Sequence, residues 1–176
     1  MVQENLANFD AKNKLEQSAR LFMATNLLHR QERAALDGIF KQLDQEKNDV
    51  ITKAELKVAF ERTHGKDKSV KIEQMLVAVF DRIDTEKKGV IEYNQFIAAA
   101  ANDSTLLTKK NLKTTFDAID KSKTGTINVN DLKAFLNDGE KKAMNSRDAR
   151  RIIKEVDRDG RGEITFEDFC YLMHRK

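Results

Sequence analysis

The sequence predicts an all-α protein of four helix–loop–helix repeats arranged in two pairs, preceded by an amphipathic helix. Three observations carry this. The 176 residues include no proline and only 7 glycines, which disfavours a many-turned β-sandwich and favours long helices. Four segments repeat one pattern: an apolar helix end, an Asp, a polar loop, an Ile and a second helix, starting at Asp44, Asp84, Asp120 and Asp157. Hydrophobic residues make up 40% and charged residues 35%. That is too apolar for a disordered chain and too charged for a membrane protein, and no stretch approaches the roughly 18 apolar residues of a span.

The first element lies outside the repeat. Over residues 4–30, apolar side chains recur at helical spacing through Leu6, Phe9, Leu15, Phe22 and Met23, with Lys12, Lys14 and Arg20 interspersed. This describes an amphipathic helix with bulky anchors and some basic character. Two readings stand: an ordinary N-terminal helix packed on the first lobe, which spacing alone favours, or a target-type helix gripped by helical lobes.

The repeats follow. Their starting aspartates are 40, 36 and 37 positions apart. In each, an Ile (Ile51, Ile91, Ile127, Ile164) lies seven positions after the Asp, and a second apolar residue (Leu56, Phe96, Leu132, Phe169) twelve after it. This is the spacing of the EF-hand, a helix, a twelve-residue calcium loop and a helix. Calcium takes six to eight oxygens; positions 1, 3, 5 and 12 supply side chains and position 7 a carbonyl, while position 6 turns sharply and favours Gly. The Ile at position 8 packs inward, so Ile51 should pair with Ile91, and Ile127 with Ile164, as two short antiparallel bridges.

Loop 1 offers Asp44, Glu46, Asn48, the Val50 carbonyl and Glu55; it alone keeps Glu at position 12, and Asp49 replaces Gly at position 6. Loop 2 (Asp84, Glu86, Lys88, Gln95) has a cation at position 5 and an amide at position 12, and reads as a degenerate, structural hand. Loop 3 offers Asp120, Ser122, Thr124, the Thr126 carbonyl and Asp131, all oxygens but only two charged. Loop 4 offers Asp157, Asp159, the Glu163 carbonyl and Asp168, with Arg161 standing at ligand position 5. Asp at position 12 is short, which lowers calcium affinity and relatively favours Mg2+. The expectation is at least one working Ca2+ site and fewer than four. Two pairs imply two lobes separated near residues 101–105, with Thr108 capping the next helix and Ser146 the helix entering loop 4.

The run Glu4-Asn5-Leu6-Ala7-Asn8-Phe9, then Asn13-Lys14-Leu15 and Ala19, followed by four hands, resembles the junction and calmodulin-like activation domain of calcium-dependent protein kinases of plants and apicomplexan parasites. The resemblance covers nearly the whole chain. It implies a calmodulin-like fold: a junction or autoregulatory helix at 1–30, an N-terminal lobe (hands 1 and 2) at 31–101 and a C-terminal lobe (hands 3 and 4) at 102–176. It implies that Leu6, Phe9, Leu15, Phe22 and Met23 anchor the junction, and that loops one, three and four hold metal. The implied partners are the chain's own junction helix and a serine/threonine kinase domain in the same polypeptide, held inactive at low calcium. Lys88, Gln95 and Arg161 depart from the family pattern.

This chain itself carries no kinase core: no glycine-rich phosphate loop, His-Arg-Asp or Asp-Phe-Gly. His29, His64 and His174 are scattered and read as surface residues. Cys170, the single cysteine, excludes an internal disulfide and reads as a buried, inert thiol. Arg147, Arg150, Arg151 and Lys154 read as a solvated helix face or a docking face for an acidic partner, not as a nucleic-acid site. No membrane contact is expected from this segment. The N-terminus has no apolar signal core, and Val2 stands where myristoylation needs a glycine. A cytoplasmic location is therefore expected, any anchor being left to upstream residues.

Two other functions compete with a kinase-regulating calcium sensor. One is a free-standing adaptor of the calcineurin B-like or centrin-like kind, binding a target helix in trans; the other is a calcium-insensitive scaffold. The charge bears on this. The net +3 conceals loops carrying −2, −1, 0 and −3 in a frame of +9, which points to few and weak sites.

Overall fold

A computed structural model describes residues 2–8, 13–64, 69–84, 87–137 and 143–174. Helices dominate, as the composition predicts. The chain divides into two compact units, Met1–Asp10 with Ala24–Leu106, and Ala11–Met23 with Leu107–Lys176. Residues 1–30 are therefore shared between the units rather than standing apart from them.

In the N-terminal segment the structure has two helices, α1 (Val2–Asn8) and α2 (Lys14–Asn26). The start of α2 has a local cause. The Asn13 side chain accepts a hydrogen bond from the Glu16 N–H at 3.0 Å, and its carbonyl accepts from Gln17. Asn13 thus caps a new helix. The apolar period predicts one amphipathic helix here, and this capping signal corrects it to two.

The first unit contains α3 (Arg30–Leu43), β1 (Val50–Thr52), α4 (Lys53–His64), α5 (Ser69–Ile83), β2 (Val90–Glu92), α6 (Tyr93–Ala100) and the one-turn α7 (Asp103–Leu106). The second contains α8 (Lys109–Ile119), β3 (Thr126–Ile127), α9 (Val129–Leu136), α10 (Ser146–Val156), β4 (Ile164–Thr165) and α11 (Phe166–His174). Both strand pairs are antiparallel, with Ile51 opposite Ile91 and Ile127 opposite Ile164, the register expected from position 8. All four isoleucines are fully buried.

Each entering helix ends for one reason, in all four hands. The backbone N–H of the loop's first Asp bonds to the carbonyl four residues back: Asp44 to Phe40, Asp84 to Phe80, Asp120 to Phe116 and Asp157 to Ile153. The helix is closed and the Asp side chain is released into the loop. The first core gathers Leu36, Phe40, Leu56, Phe60, Leu76 and Phe96, with Phe40 edge-on to Phe96 and Tyr93. The second gathers Leu112, Phe116, Leu132, Ile153, Phe169 and Leu172, with Phe116 edge-on to Phe166 and Phe169. Edge-to-face aromatic pairs of this kind add about 1 kcal/mol beyond their burial.

Thr108 caps α8, its hydroxyl accepting from the Asn111 N–H. Ser146 does not cap α10. Asn145 does, its side chain accepting from both Arg147 and Asp148 N–H groups. Asn is at least as good a cap as Ser, so the helix starts one residue earlier than expected. Near the expected break, α6 ends at Ala100, and Asn102 starts α7 by accepting from the Ser104 N–H. Among the described residues no helix is long and apolar enough to cross a membrane.

Candidate functional site

The four loops share a backbone frame set by left-handed residues. Position 6 has positive φ in each: Asp49 (62°), Gly89 (76°), Gly125 (84°) and Gly162 (85°). Position 4 does too, at Lys47, Lys87, Lys123 and Gly160. The sequence predicts the turn at position 6 but not the one at position 4, where a Lys recurs in three loops. These turns aim successive backbone N–H groups at the first Asp. Its two oxygens accept from positions 5 and 6 in loop 1 (Asn48 3.1 Å, Asp49 2.9 Å), loop 2 (Lys88 3.0 Å, Gly89 2.6 Å) and loop 3 (Thr124 3.1 Å, Gly125 2.8 Å). In loop 4 the Asp157 carboxylate accepts from Gly160 and Gly162 at 2.9 and 2.7 Å. Those bonds, the Gly162 one foremost, hold the Asp157 carboxyl below its ordinary range.

Position 12 has a second structural role that ligand spacing does not reveal. It is the third residue of the exit helix, and position 9 is the cap. The pairs Thr52–Glu55, Glu92–Gln95, Asn128–Asp131 and Thr165–Asp168 each bond reciprocally. The capping-box spacing itself is present in the sequence and could have disclosed it. Glu55 is the most fully held. Its Oε1 accepts from the Gln45 and Glu46 N–H groups at 2.8 and 3.1 Å, and its Oε2 from the Thr52 N–H and hydroxyl, both at 2.8 Å. Burial pushes the Glu55 carboxyl up, but these bonds outweigh it and the net shift is downward. Of the other loop 1 candidates, Glu46 accepts a bond from the Asn48 amide at 3.3 Å, and Val50 begins β1.

Loop 2 is closed on itself. The Lys88 ammonium pairs with Glu92 at 2.6 Å, and the Gln95 amide oxygen accepts from the Glu92 N–H. Glu86 lies outside the described residues. Loop 3 is tied by hydroxyls. Ser122 donates to Asp131 at 2.8 Å through its hydroxyl and at 2.9 Å through its N–H, and the Thr124 hydroxyl donates to the Thr126 carbonyl at 3.1 Å. The Thr126 hydroxyl donates to Glu163 of loop 4.

In loop 4, Asp157, Asp159 and Asp168 bring their carboxylate oxygens within 4.8 Å of one another. A divalent cation fits such a donor set, since hard oxygens at that spacing can share one ion. Arg161 offers no side-chain oxygen; its Nε sits 2.7 Å from Asp159.

The N-terminal anchors are divided between the units. Leu6 is fully buried in the first, where α1 packs on α5 and α6 and the Asn5 amide donates to the Ala100 carbonyl at 2.8 Å. An apolar groove beside it is lined by Val2, Leu6, Leu36, Ile39, Leu43 and Leu56. Leu15, Ala19 and Met23 are fully buried in the second unit, and Phe22, half-buried, stands edge-on to Phe135. Phe9 lies outside the described residues. The segment also buries Asn13, Glu16 and Arg20, with Arg20 Nε 3.6 Å from Glu16 Oε1; the apolar periodicity gives no hint of these polar residues.

Cys170 is half-buried rather than fully buried. Burial still pushes its thiol up, so it stays protonated. His29 and His174 are exposed, and His29 caps α3; the side chain of His64 lies outside the described set. Arg147, Arg150, Arg151 and Lys154 all lie on the exposed side of α10.

Comparison with known proteins agrees with this geometry. The EF-hand domain pair family matches residues 33–101 and 109–174. The chain is 29% identical over 96% of its length to calcium-dependent protein kinase 4 of Plasmodium berghei (strain Anka), covering 33% of that protein. It is 31% identical over 99% of its length to calcium-dependent protein kinase 3 of the same parasite, covering 31% of it. It is 30% identical over 98% of its length to calcium-dependent protein kinase 2 of Zea mays, covering 32% of it. The chain thus spans about a third of the length of the curated relatives it matches.

Proposed function

The chain belongs to the EF-hand domain pair family, and from that premise we propose that it is the calcium-sensing regulatory part of a serine/threonine protein kinase, acting by rearrangement around its N-terminal helices. An EF-hand pair binds calcium and is not itself catalytic, so the chain's work is to couple an ion to a change in helix packing. The relatives named above carry the word kinase, and the remaining two thirds of their length lies outside the match.

One observation carries the reading: each EF-hand unit already holds a separate helix of the first thirty residues. Leu6 is fully buried in one unit, and Leu15, Ala19 and Met23 in the other. A buffer has no use for such a segment. An adaptor acting in trans would hold a foreign helix, whereas here this chain's own helices belong to both units. In this proposal residues 1–30 are the junction, 31–101 the N-terminal lobe and 102–176 the C-terminal lobe.

Metal roles fall to loops 1, 3 and 4. Glu55 is the one position-12 Glu and would offer calcium two carboxylate oxygens from the first turn of α4, linking the ion to that helix. Asp131 and Asp168 are one methylene shorter, which gives loops 3 and 4 weaker calcium binding and a relative preference for Mg2+. Loop 2 serves as a structural partner to loop 1, through β1–β2 and its own Lys88–Glu92 pair.

Calorimetric titration of calcium into the intact chain and into a form lacking residues 1–30 tests this. The expected result is binding in both forms with different affinity, since coupling between ion and helix must be reciprocal. Equal affinity in both would favour an adaptor, and no heat in either would leave a calcium-insensitive scaffold.

A further inference from the structure

The two units place their cations alike. In each, one loop has a neutral oxygen side chain at position 5, Asn48 or Thr124, and the other has a cation, Lys88 or Arg161. Both cations fold back onto a carboxylate of their own loop. Lys88 Nζ lies 2.6 Å from Glu92, and Arg161 Nε lies 2.7 Å from Asp159.

The consequences differ between the two loops. Loop 2 also lacks a carboxylate at position 12, where Gln95 is engaged in a capping box, so removing Lys88 restores nothing. Loop 4 keeps carboxylates at positions 1, 3 and 12, the last being the shorter Asp168. Gly162 makes the turn at φ 85°, and Asp157, Asp159 and Asp168 converge within 4.8 Å. Arg161 is the one side chain at its ligand positions that opposes an incoming cation. The Arg161 side chain is 69% exposed, so it contributes little to the core and is free to swing away.

We propose that Arg161 is an intramolecular competitor for the fourth-loop cation: its guanidinium holds Asp159 and sets the loop's divalent-ion affinity below what the three aspartates alone would give. The physics is charge and access. A cation entering loop 4 must displace a charge-assisted hydrogen bond from Asp159 and approach a positive group tethered two residues away. Loop affinity in this architecture follows ligand charge and site rigidity over many decades, so a single built-in counter-charge is a sizeable control. The result is a graded pair, with loop 3 neutral overall and loop 4 at −3 but self-compensated at its most exposed ligand. This inference rests on the calcium-binding reading above.

The test is a calcium titration of the full chain followed by the backbone amide signals of Asp49, Gly89, Gly125 and Gly162, one reporter for each loop. In Arg161→Ala the Gly162 signal should respond at about tenfold lower calcium than in the wild type. Arg161→Lys, which keeps the cation, should stay close to the wild type, and Lys88→Ala should leave Gly89 silent. A Gly162 response unchanged in Arg161→Ala, while Asp49 still responds, overturns this proposal and spares the calcium reading. So does an Arg161→Lys form that behaves like Arg161→Ala. If none of the four signals moves in any form, the calcium reading fails and this inference falls with it.

Discussion

The Thr126 hydroxyl donates a 2.6 Å hydrogen bond to the Glu163 carboxylate, joining position 7 of loop 3 to position 7 of loop 4. These two residues also carry the carbonyls that would face an ion in each loop, so the bond ties the frames of both sites beside the β3–β4 bridge. Thr126→Val keeps the side-chain shape and removes the donor. It should lower the stability of the C-terminal unit by about 1 kcal/mol, read from urea denaturation without calcium.

Glu55→Gln should weaken the calcium site proposed for loop 1. The neutral amide cannot supply a bidentate carboxylate, so calcium calorimetry should show the loop 1 event weakened by about tenfold or more. An acid titration adds a second signature. The folded Glu55 carboxyl lies below its ordinary value of 4.5. Its stabilising contribution is therefore present above that value and is lost as the pH falls through the lowered folded one. Denaturation midpoints of the wild type should drop over that acid range, and those of Glu55→Gln should drop less.

Asp49 and Gly125 occupy the same loop position at φ 62° and 84°. Asp carries a steric cost there that Gly does not. Asp49→Gly should stabilise the N-terminal unit by about 0.5–1 kcal/mol, and Gly125→Ala should destabilise the C-terminal unit by about 1 kcal/mol. No heavy atom lies within 4 Å of a Cβ built on Gly125, so that loss would come from the backbone alone. Thermal melts of the two variants read both signs.

Truncating the anchors separates the two units. Leu15→Ala or Met23→Ala leaves a cavity in the second unit, and Leu6→Ala one in the first, each costing about 2–5 kcal/mol. Hydrogen exchange in the wild type and each variant should place the loss of protection in α8–α11 for the first two and in α3–α6 for the third.

The fold was legible because position 8 and the starting Asp recur at fixed spacing in every loop. The Ile51–Ile91 and Ile127–Ile164 pairs follow from spacing alone. The caps were less legible, since neighbouring Asn145 and Ser146 are both good caps and only backbone geometry chooses between them. The loops were legible in their register, from the starting Asp to the turn at position 6 and the Ile at position 8, and not in their closure. Spacing could not show that Ser122 reaches Asp131, or that Arg161 turns onto Asp159 instead of outward. Least legible was the N-terminal segment. Its apolar period continues across Asn13, so periodicity reads one helix where capping chemistry starts a second, and the buried Glu16 and Arg20 have no signature in a hydrophobic pattern.

The proposed function requires that calcium and the N-terminal helices be coupled. Hydrogen–deuterium exchange of the Leu15–Met23 amides in the intact chain, with and without saturating calcium, tests it most directly. Protection at these amides should change tenfold or more, about 1.4 kcal/mol in opening free energy. Calcium that binds in the same sample while these amides exchange at unchanged rates would contradict it.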